Sequence, residues 1–377
     1  MKNRSAIILA ICLMFSLCSC ARKTSDPTEN PNKAEANTTQ NSTTGTRTED
    51  TTLVAVSVPT VTENTTHDDG TVLFQYTYQN MSLVLNKPQV ADKIILDFLN
   101  RVDNTKEAAE ATANLAKSAY NSNRNWTPYL YHVTYSPTRI DQKVLSLFGN
   151  NVVSSGAGHP ERTCVSASYD LLTGDVLTLA SIMHKDAKAD DFRDLVLDGL
   201  AEMAEGDYLY EGYISTVKNR FTTDASQDEA WYFTQTGLCF YFAPYEIAPY
   251  SSGVVSVEIP YEKLKNLIHT DYLPKERGDA TGSLTVSPFE NVNLESISHI
   301  AEIVANKDGK MYMIQTDGFI QDIRILLSDT ASSYTVFAAY NLTPENGIMV
   351  QADEALLQNM KLAYKTGKEA VSTPLIG

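Results

Sequence analysis

Apolar and polar residues begin to alternate at Leu53, and short runs of alternation recur along most of the chain. A period of two places neighbouring side chains on opposite faces of a strand. The runs predict strands at residues 54–58, 72–78, 129–135, 142–148, 163–169, 238–242 and 254–259. Between the first two strands, His67-Asp68-Asp69-Gly70 has the composition of a hairpin turn. The pattern therefore predicts paired strands.

Between some of these strands the apolar spacing changes to the three- and four-residue pattern of helices. A long helix is predicted from Pro88 to residue 119, with a kink near Asp103–Thr105. Shorter helices are predicted at residues 192–203, 213–221 and 261–268. Strands with hairpin-length connections, interrupted by helices, predict an α+β fold with a mixed or antiparallel sheet packed by helices.

The polar, glycine-containing segment Lys275–Ser283 is a candidate domain boundary. Beyond it, alternation predicts strands at residues 311–315, 319–327, 334–340 and 348–351. We therefore predict an α+β domain at residues 53–274, followed by a small β-rich domain at residues 284–377.

Residues 1–19 have the pattern of a secretory signal peptide. Lys2 and Arg4 precede an apolar stretch at residues 6–17, which is too short to span a bilayer. Leu17-Cys18-Ser19-Cys20 follows and resembles a bacterial lipobox, which predicts that Cys20 is acylated, for example with palmitate, and becomes the mature N-terminus. We expect an extracytoplasmic lipoprotein anchored in the bacterial cell membrane through its acyl chains. Plain secretion and an uncleaved anchor are the alternatives.

Residues 20–52 carry the anchor cysteine and a linker rich in Thr and Asn. Such a composition cannot bury enough apolar surface to become ordered. As a flexible coil, the linker would extend on the order of 30 Å from the membrane. We predict that it acts as a stalk.

The chain has 377 residues, with 30 Lys and Arg against 46 Asp and Glu, and a formal net charge of −16. Removal of residues 1–19 deletes Lys2 and Arg4 and changes this charge to −18. The acidic balance excludes a nucleic-acid binder that relies on a basic face. It favours attraction of a basic partner at low ionic strength.

Two of the five cysteines, Cys164 and Cys239, lie in the part of the chain that is predicted to fold. Both fall in strand-like runs, and thiols outside the cytoplasm can pair, so a disulfide between neighbouring strands is one interpretation. Two buried, unpaired thiols are the interpretation that we favour, because spacing alone does not show adjacency.

No catalytic motif is evident. No two histidines are closer in sequence than His159 and His184, which removes the local two-histidine metal motifs, and Asp68-Asp69-Gly70 is better explained as a turn than as part of a deacetylase site. Serine-hydrolase and phosphate-loop motifs are missing as well. We therefore favour a non-enzymatic protein without a cofactor or metal, although a triad of distant residues stays open.

Three segments carry a family resemblance. They are Ser155–Pro160 followed by Asp170–Leu179, then Gly237–Tyr250, then Ser252–Tyr261. They resemble the extracytoplasmic families DUF4163 and DUF3298, which occur in the ectodomain of RsiV-like anti-sigma factors and in the accessory region of PdaC-like peptidoglycan deacetylases. The resemblance covers about residues 53–270. It implies a mixed sheet with packed helices and a binding role, since RsiV-like proteins bind lysozyme through this region.

The candidate partner-binding residues are His159, Tyr245, Glu246, Pro249 and Tyr250. His159 is flanked by Gly158 and Pro160, which would hold it in a fixed loop, and aromatic anchors with little side-chain entropy suit recognition. A structural turn for His159 and packing on a sheet edge for the tyrosines are the alternatives. Trp126 with Tyr129, Tyr131 and Tyr135 is either a sugar-stacking platform or core.

The sequence thus predicts a surface lipoprotein that binds an extracytoplasmic protein such as lysozyme or another cationic wall-lytic protein. A module that binds cell-wall glycan is a second hypothesis. An envelope hydrolase with an unrecognised site is a third, in which His159 and Glu246 would be the first residues to test.

Overall fold

The computed structural model describes residues 52–120, 125–156, 158–204, 208–221, 230–328, 333–366 and 369–376. The predicted signal peptide, Cys20 and all but the last residue of the predicted linker lie outside the described residues. The described residues belong to one compact unit.

The described part of the chain forms strands and helices in alternation, and most helices fall in its first two thirds. The strands are β1 Ala55–Ser57, β2 Thr60–Thr66, β3 Val72–Gln79, β4 Ser82–Val84, β5 Tyr129–Ile140, β6 Val144–Ser154, β7 Glu161–Asp170, β8 Trp231–Phe233, β9 Gly237–Phe242, β10 Val255–Pro260, β11 Leu284–Pro288, β12 His299–Val304, β13 Lys310–Thr316, β14 Ile320–Ser328, β15 Ser333–Leu342, β16 Asn346–Ala352, β17 Met360–Thr366 and β18 Glu369–Pro374. The helices are α1 Pro88–Asp103, α2 Lys106–Ala119, α3 Leu179–Ile182, α4 Ala189–Ala204, α5 Tyr213–Arg220, α6 Tyr261–Leu264 and α7 Glu354–Gln358.

The first sheet has the strand order β2-β3-β5-β6-β7. The β3–β5 pair is parallel and the other pairs are antiparallel, as a mixed sheet requires. The turn between β2 and β3 is the predicted one: Gly70 has φ +85°, and Asp69 Oδ1 accepts the Thr71 N–H at 2.9 Å. Helices α1 and α2 pack on this sheet, and apolar side chains at helical spacing, such as Ile94, Phe98 and Ala116, are buried in its core.

The single kinked helix predicted at residues 88–119 is instead two helices. Pro88 lies in the first turn of α1, where a missing N–H costs nothing. Helix α1 ends before Asn104. Thr105 Oγ1 and the Tyr76 hydroxyl are hydrogen-bonded at 2.8 Å, which connects the junction between the two helices to β3. The predicted kink therefore marks a helix end.

The second sheet contains β10-β9-β8, all antiparallel. Its core is built from the apolar face of α4, with Phe192, Val196 and Leu200 fully buried against residues such as Phe240 and Val257. This sheet contacts the first one: the Phe148 ring of β6 stacks on the Tyr232 ring of β8, with centroids 4.5 Å apart. The predicted helix at residues 261–268 is shorter than expected and ends at Leu264.

The last two sheets share one core. The third sheet has the order β18-β17-β14-β15-β1-β4 and is antiparallel throughout. The fourth has the order β11-β13-β16-β12, with a parallel β12–β16 pair. Apolar side chains of both, such as Ile303, Ile325 and Phe337, lie in the same buried cluster. The C-terminal region is therefore β-rich, and the predicted α+β class is confirmed.

The predicted boundary at residues 275–283 stays a prediction. One feature of the topology bears on it: β1 is hydrogen-bonded between β15 and β4, so a strand from the start of the folded chain lies inside the C-terminal sheet. Among the described residues, no helix has the length and apolar composition needed to cross a membrane.

Candidate functional site

Two loops predicted to carry the site lie next to each other. Residues 155–160 connect β6 to β7, and residues 243–254 connect β9 to β10. The strands that precede and follow these loops are held together across the two sheets, since Ser166 Oγ of β7 and the Tyr241 hydroxyl of β9 lie 3.3 Å apart. The packing of the two sheets therefore brings together loops that are more than 80 residues apart in sequence.

Three side chains from these loops form one cluster, which we call the aromatic loop cluster: His159, Tyr245 and Tyr250. His159 Nε2 and the Tyr245 hydroxyl are hydrogen-bonded at 2.7 Å. The His159 ring stacks on Tyr250 with centroids 4.0 Å apart and planes 20° apart. The Tyr250 hydroxyl donates to the Pro160 carbonyl oxygen at 2.7 Å, so each loop holds the other.

The backbone of this cluster is unusual at Tyr245. Its φ of +71° is in the left-handed region, which disfavours residues with a Cβ. The side chain is nevertheless 55% exposed, so burial of its ring does not compensate for the strained backbone. Strained residues of this kind are concentrated at functional sites, where the surrounding structure holds them.

Gly156 is the position where the opposite loop needs glycine. Its φ is +80°, and a Cβ there would lie 2.7 Å from Cε1 of Tyr129. Tyr129 in turn stacks on Trp126 at 5.2 Å, and Trp126 Nε1 donates to the Val72 carbonyl oxygen at 3.0 Å. The loop therefore rests on an aromatic pair that is anchored to β3.

Glu246 supports the loop rather than facing solvent. One carboxylate oxygen accepts the Ala243 N–H at 2.9 Å, and the other forms an ion pair with Arg220 at the end of α5. The Arg220 guanidinium lies 4.5 Å from the centroid of the Phe242 ring and also donates to the Tyr241 carbonyl oxygen. Both carboxylate oxygens of Glu246 therefore hold the turn that contains Tyr245.

Pro249 is half-buried and directly precedes a short 3₁₀ turn at Tyr250–Ser252. Its ring fixes φ before the turn, which limits the positions that Tyr250 can take. The structure therefore places all five predicted site residues in two adjoining loops. His159 and Tyr245 are exposed, Tyr250 is half-buried, and Glu246 and Pro249 act as supports.

The sequence reasoning missed an apolar extension of this surface. The Tyr210 N–H donates to the Ile247 carbonyl oxygen at 2.8 Å, which places the segment before α5 beside the Tyr245 loop. Tyr208, Tyr210 and Ile214 are exposed large side chains on this segment and on α5. The only trace in the sequence is Tyr-Leu-Tyr at residues 208–210, and the exposure of its tyrosines is visible only in the structure.

The group of Trp126, Tyr129, Tyr131 and Tyr135, predicted as a sugar-stacking platform or as core, is split between two environments. Tyr131 and Tyr135 are buried in the core of the first sheet, Tyr135 in edge contact with Phe98 at 5.1 Å. Trp126 and Tyr129 are half-buried. The four residues therefore do not form one open sugar-stacking platform.

Cys164 and Cys239 are both free thiols. Cys164 lies on β7 of the first sheet, opposite Asn150, and Cys239 lies on β9 of the second sheet, opposite Glu258. Burial, with a smaller effect of the Glu246 carboxylate, raises the pKa of the Cys164 thiol to about 11. The two thiols are not joined in the structure and lie on strands of different sheets, and the disulfide stays one interpretation of the sequence.

His184 and His269 are brought together although they are far apart in sequence. A β-bridge between Met183 and Ile268 holds their rings 5.9 Å apart. Within the described part of the chain, no group of three or more His, Cys, Asp or Glu side chains could hold a metal ion.

Comparison with known proteins gives a family match to part of the chain. Residues 180–262, which include α4 to β10, match the family described as protein of unknown function DUF3298. The DUF3298 resemblance inferred from the sequence is therefore confirmed over these residues, whereas the DUF4163 part stays a prediction. No curated protein matches the chain.

The solved structures that are similar to this chain include two DUF3298 family proteins. A DUF3298 family member from Bacteroides fragilis has 17% identity and a TM-score of 0.45, with 59% of this chain and 96% of that chain covered. A DUF3298 family protein from Pseudomonas aeruginosa PAO1 has 13% identity and a TM-score of 0.39, with 59% and 97% covered.

Proposed function

We propose that this protein is a lipid-anchored envelope protein that binds an extracytoplasmic protein partner through the aromatic loop cluster. The observation that carries the proposal is the position of Tyr245. Its ring is held out into solvent on a strained backbone, fixed by His159 on one side and by the turn that Glu246 braces on the other. A rigid, exposed aromatic side chain loses little entropy on binding, which makes it an effective anchor.

The neighbouring surface supports a protein partner in particular. Tyr208, Tyr210 and Ile214 extend the exposed apolar area beside Tyr245. Apolar and aromatic side chains concentrated on one surface are typical of interaction sites between proteins. A small ligand would instead favour a concave site.

The leading partner is a cationic wall-lytic protein such as lysozyme. The net charge of −16, or −18 after removal of residues 1–19, attracts a basic protein over a distance of about 10 Å at moderate ionic strength. Tyrosine faces also bind Arg and Lys side chains through cation–π contacts. Charge would mainly accelerate association, and the aromatic cluster would supply the specific contacts.

Calorimetric titration of the purified chain with lysozyme, at low and at moderate salt, tests this proposal. We expect saturable binding that weakens as salt rises. Tyr245→Ala should weaken binding at least about tenfold, as truncation of an anchor residue does. Leu115→Ala is the matched control, because Leu115 has a similar exposure of 59% but lies on α2. No heat above dilution in either salt, or equal affinities of the two variants, would overturn the proposal.

Binding of neutral cell-wall glycan is the second candidate, because the stacked His159 and Tyr250 rings offer a face on which a sugar could pack. Sedimentation with insoluble peptidoglycan distinguishes the two candidates. A protein that binds only a soluble partner stays in the supernatant, whereas a glycan binder sediments and loses this behaviour in Tyr250→Ala.

The lipid anchor is a separate part of the proposal and rests on the lipobox that ends at Cys20. Burial of acyl chains contributes about 0.8 kcal/mol per CH₂ group, so two or more chains hold a protein firmly on a membrane. Cells that produce Cys20→Ala should therefore lack the acylated form, visible as a missing mass increment on the N-terminal peptide. An unmodified Cys20 in the wild-type protein would refute the anchor.

A further inference from the structure

A second candidate site lies away from the aromatic loop cluster, in a cleft of about 400 Å³. It is formed where the β5–β6 turn, the β8–β9 turn and the segment after residue 270 meet strands β14, β15 and β17 of the third sheet. Its volume is in the range of pockets that bind small molecules. None of His159, Tyr245 and Tyr250 lines it.

The charge of this cleft is opposite to that of the chain. Five cationic side chains line it: Arg139, Lys143, Lys275, Arg277 and Lys365. Three carboxylates do so: Asp141, Asp271 and Asp322. A fourth carboxylate, Asp170, binds Lys143 from outside the lining, and the cations still outnumber the acids. The chain as a whole has a net charge of −16, so this cleft differs in sign from the average of the chain.

Two of the cations are held rigidly. Arg139 is only 2% exposed and is ion-paired with Asp141, and its Nη1 donates to the Tyr261 hydroxyl at 2.7 Å. Arg277 donates to Asp322 Oδ1 at 2.8 Å and stacks on Tyr340, with the guanidinium carbon 3.9 Å from the ring centroid. These guanidinium groups therefore form fixed, charged walls that need no rearrangement when a ligand enters.

Asp322 marks the part of the wall where the backbone is strained. Its φ of +53° coincides with a shift of register between β14 and β17, and its side chain is 10% exposed. The strained position places one carboxylate between two cations, Arg277 and Lys365, with Lys365 Nζ 2.9 Å from Oδ2. Bulges and left-handed residues of this kind are frequent beside functional sites.

The remaining cations are the ones available to a ligand. Lys365 is 52% exposed and shares the Asp322 carboxylate with Arg277. Among the residues that the structure describes, Lys275 forms no ion pair, whereas Lys143 is paired with Asp170. One carboxylate shared by two cations, together with an ammonium group outside any ion pair, leaves an excess of positive charge even when the Asp271 carboxylate is counted. Lysine ammonium groups are also the mobile donors that bind anions as point charges.

We infer that this cleft, which we call the basic cleft, binds a small oxyanion through carboxylate or phosphate oxygens, with Lys275 and Lys365 as the groups that contact it. Arg139 and Arg277, each paired with a carboxylate, form the fixed walls around that ligand. Carboxylate and phosphate share the chemistry that ammonium and guanidinium groups recognise. The inference does not depend on the partner proposed for the aromatic loop cluster, since the two sites share none of their named residues.

Calorimetric titration of the purified full chain with citrate and, separately, with pyrophosphate tests this inference at constant ionic strength in a phosphate-free buffer. We expect saturable binding of at least one probe. Tighter binding of citrate would identify a carboxylate ligand, and tighter binding of pyrophosphate a phosphate ligand. Removing both ammonium groups in Lys275→Gln/Lys365→Gln should weaken binding about tenfold or more, because two point charges close to the ligand are lost.

Lys310→Gln is the matched control. Lys310 is 58% exposed and pairs with Glu354 at 2.8 Å, much as Lys365 is 52% exposed and pairs with Asp322, but it does not line the cleft. This variant should bind as the wild type does. The inference fails if neither probe gives saturable binding up to millimolar concentration, if the double variant retains wild-type affinity, or if Lys310→Gln weakens binding equally. Unfolding curves of all three proteins confirm that each is folded at the temperature of titration.

Discussion

The left-handed backbone of Tyr245 can be tested by placing alanine and glycine at the same position. Alanine keeps the Cβ that disfavours a φ of +71°, at a cost of about 1–2 kcal/mol, whereas glycine has no such cost. Glycine also loses about 0.5–1 kcal/mol through the greater freedom of its unfolded chain. We therefore expect Tyr245→Gly to be more stable than Tyr245→Ala by roughly 0.5–1 kcal/mol.

Comparison of these two variants isolates the backbone, because both lose the hydrogen bond to His159 and the tyrosine ring. The control is the same pair of substitutions at Leu115, an exposed position within α2. In a helix, glycine is less stable than alanine by about 1 kcal/mol. The predicted order of stability is thus opposite at the two positions.

Urea unfolding followed by far-ultraviolet circular dichroism measures both differences. If the slope of the unfolding free energy against urea concentration is the same in all variants, a shift of the unfolding midpoint reports a change in stability alone. If Tyr245→Ala is as stable as Tyr245→Gly, the backbone at Tyr245 is not strained in the way described. Both variants should also bind the partner at least about tenfold more weakly, and titration at a temperature where the urea curves show each variant folded separates this loss from unfolding.

Two further predictions concern groups that are wholly or partly buried. Cys164 and Cys239 should resist alkylation in the native protein at pH 8, because both are shielded and the pKa of the Cys164 thiol is raised to about 11. Both should react in urea without prior reduction. A requirement for reductant would show that they are paired. Arg139→Ala should reduce stability by about 3–5 kcal/mol, since it leaves Asp141 without its buried partner. Arg193→Ala, which breaks surface ion pairs, should cost less than about 1 kcal/mol in the same unfolding assay, and equal costs would contradict this account.

Local patterns were enough to predict many of the elements. Alternation located β3, β5 to β7, β9 and β10, and helical spacing located α1, α2, α4 and α5, because each has one buried face. Some of the strands that were missed are short or polar, whereas β17, with seven residues and a buried Met360 and Leu362, is neither. β2 is an edge strand with few apolar residues, and β18 is exposed along most of its length, so neither shows a clear period of two.

The site was predictable as a set of residues and not as an arrangement. Glycine and proline beside His159, and the prolines around Tyr245, indicated fixed loops before their positions were known. Their contact depends on how two sheets pack, which no local pattern describes. The role of Glu246 could not be predicted either, because its partner Arg220 lies on a separate helix.

The basic cleft had no sequence signal, because it is formed by residues that are far apart along the chain. The same topology explains why it exists. β1 pairs with β15, and Arg324 of β14 donates to the carbonyl oxygens of Pro137 and Thr138 at 2.9 Å each, so the C-terminal sheets are fastened directly to β5. Arg139, the next residue of β5, is thereby fixed close to Asp322, two residues before Arg324. The C-terminal β-rich region therefore does more than cover an apolar surface, since it supplies Arg277's carboxylate partner and one wall of the cleft.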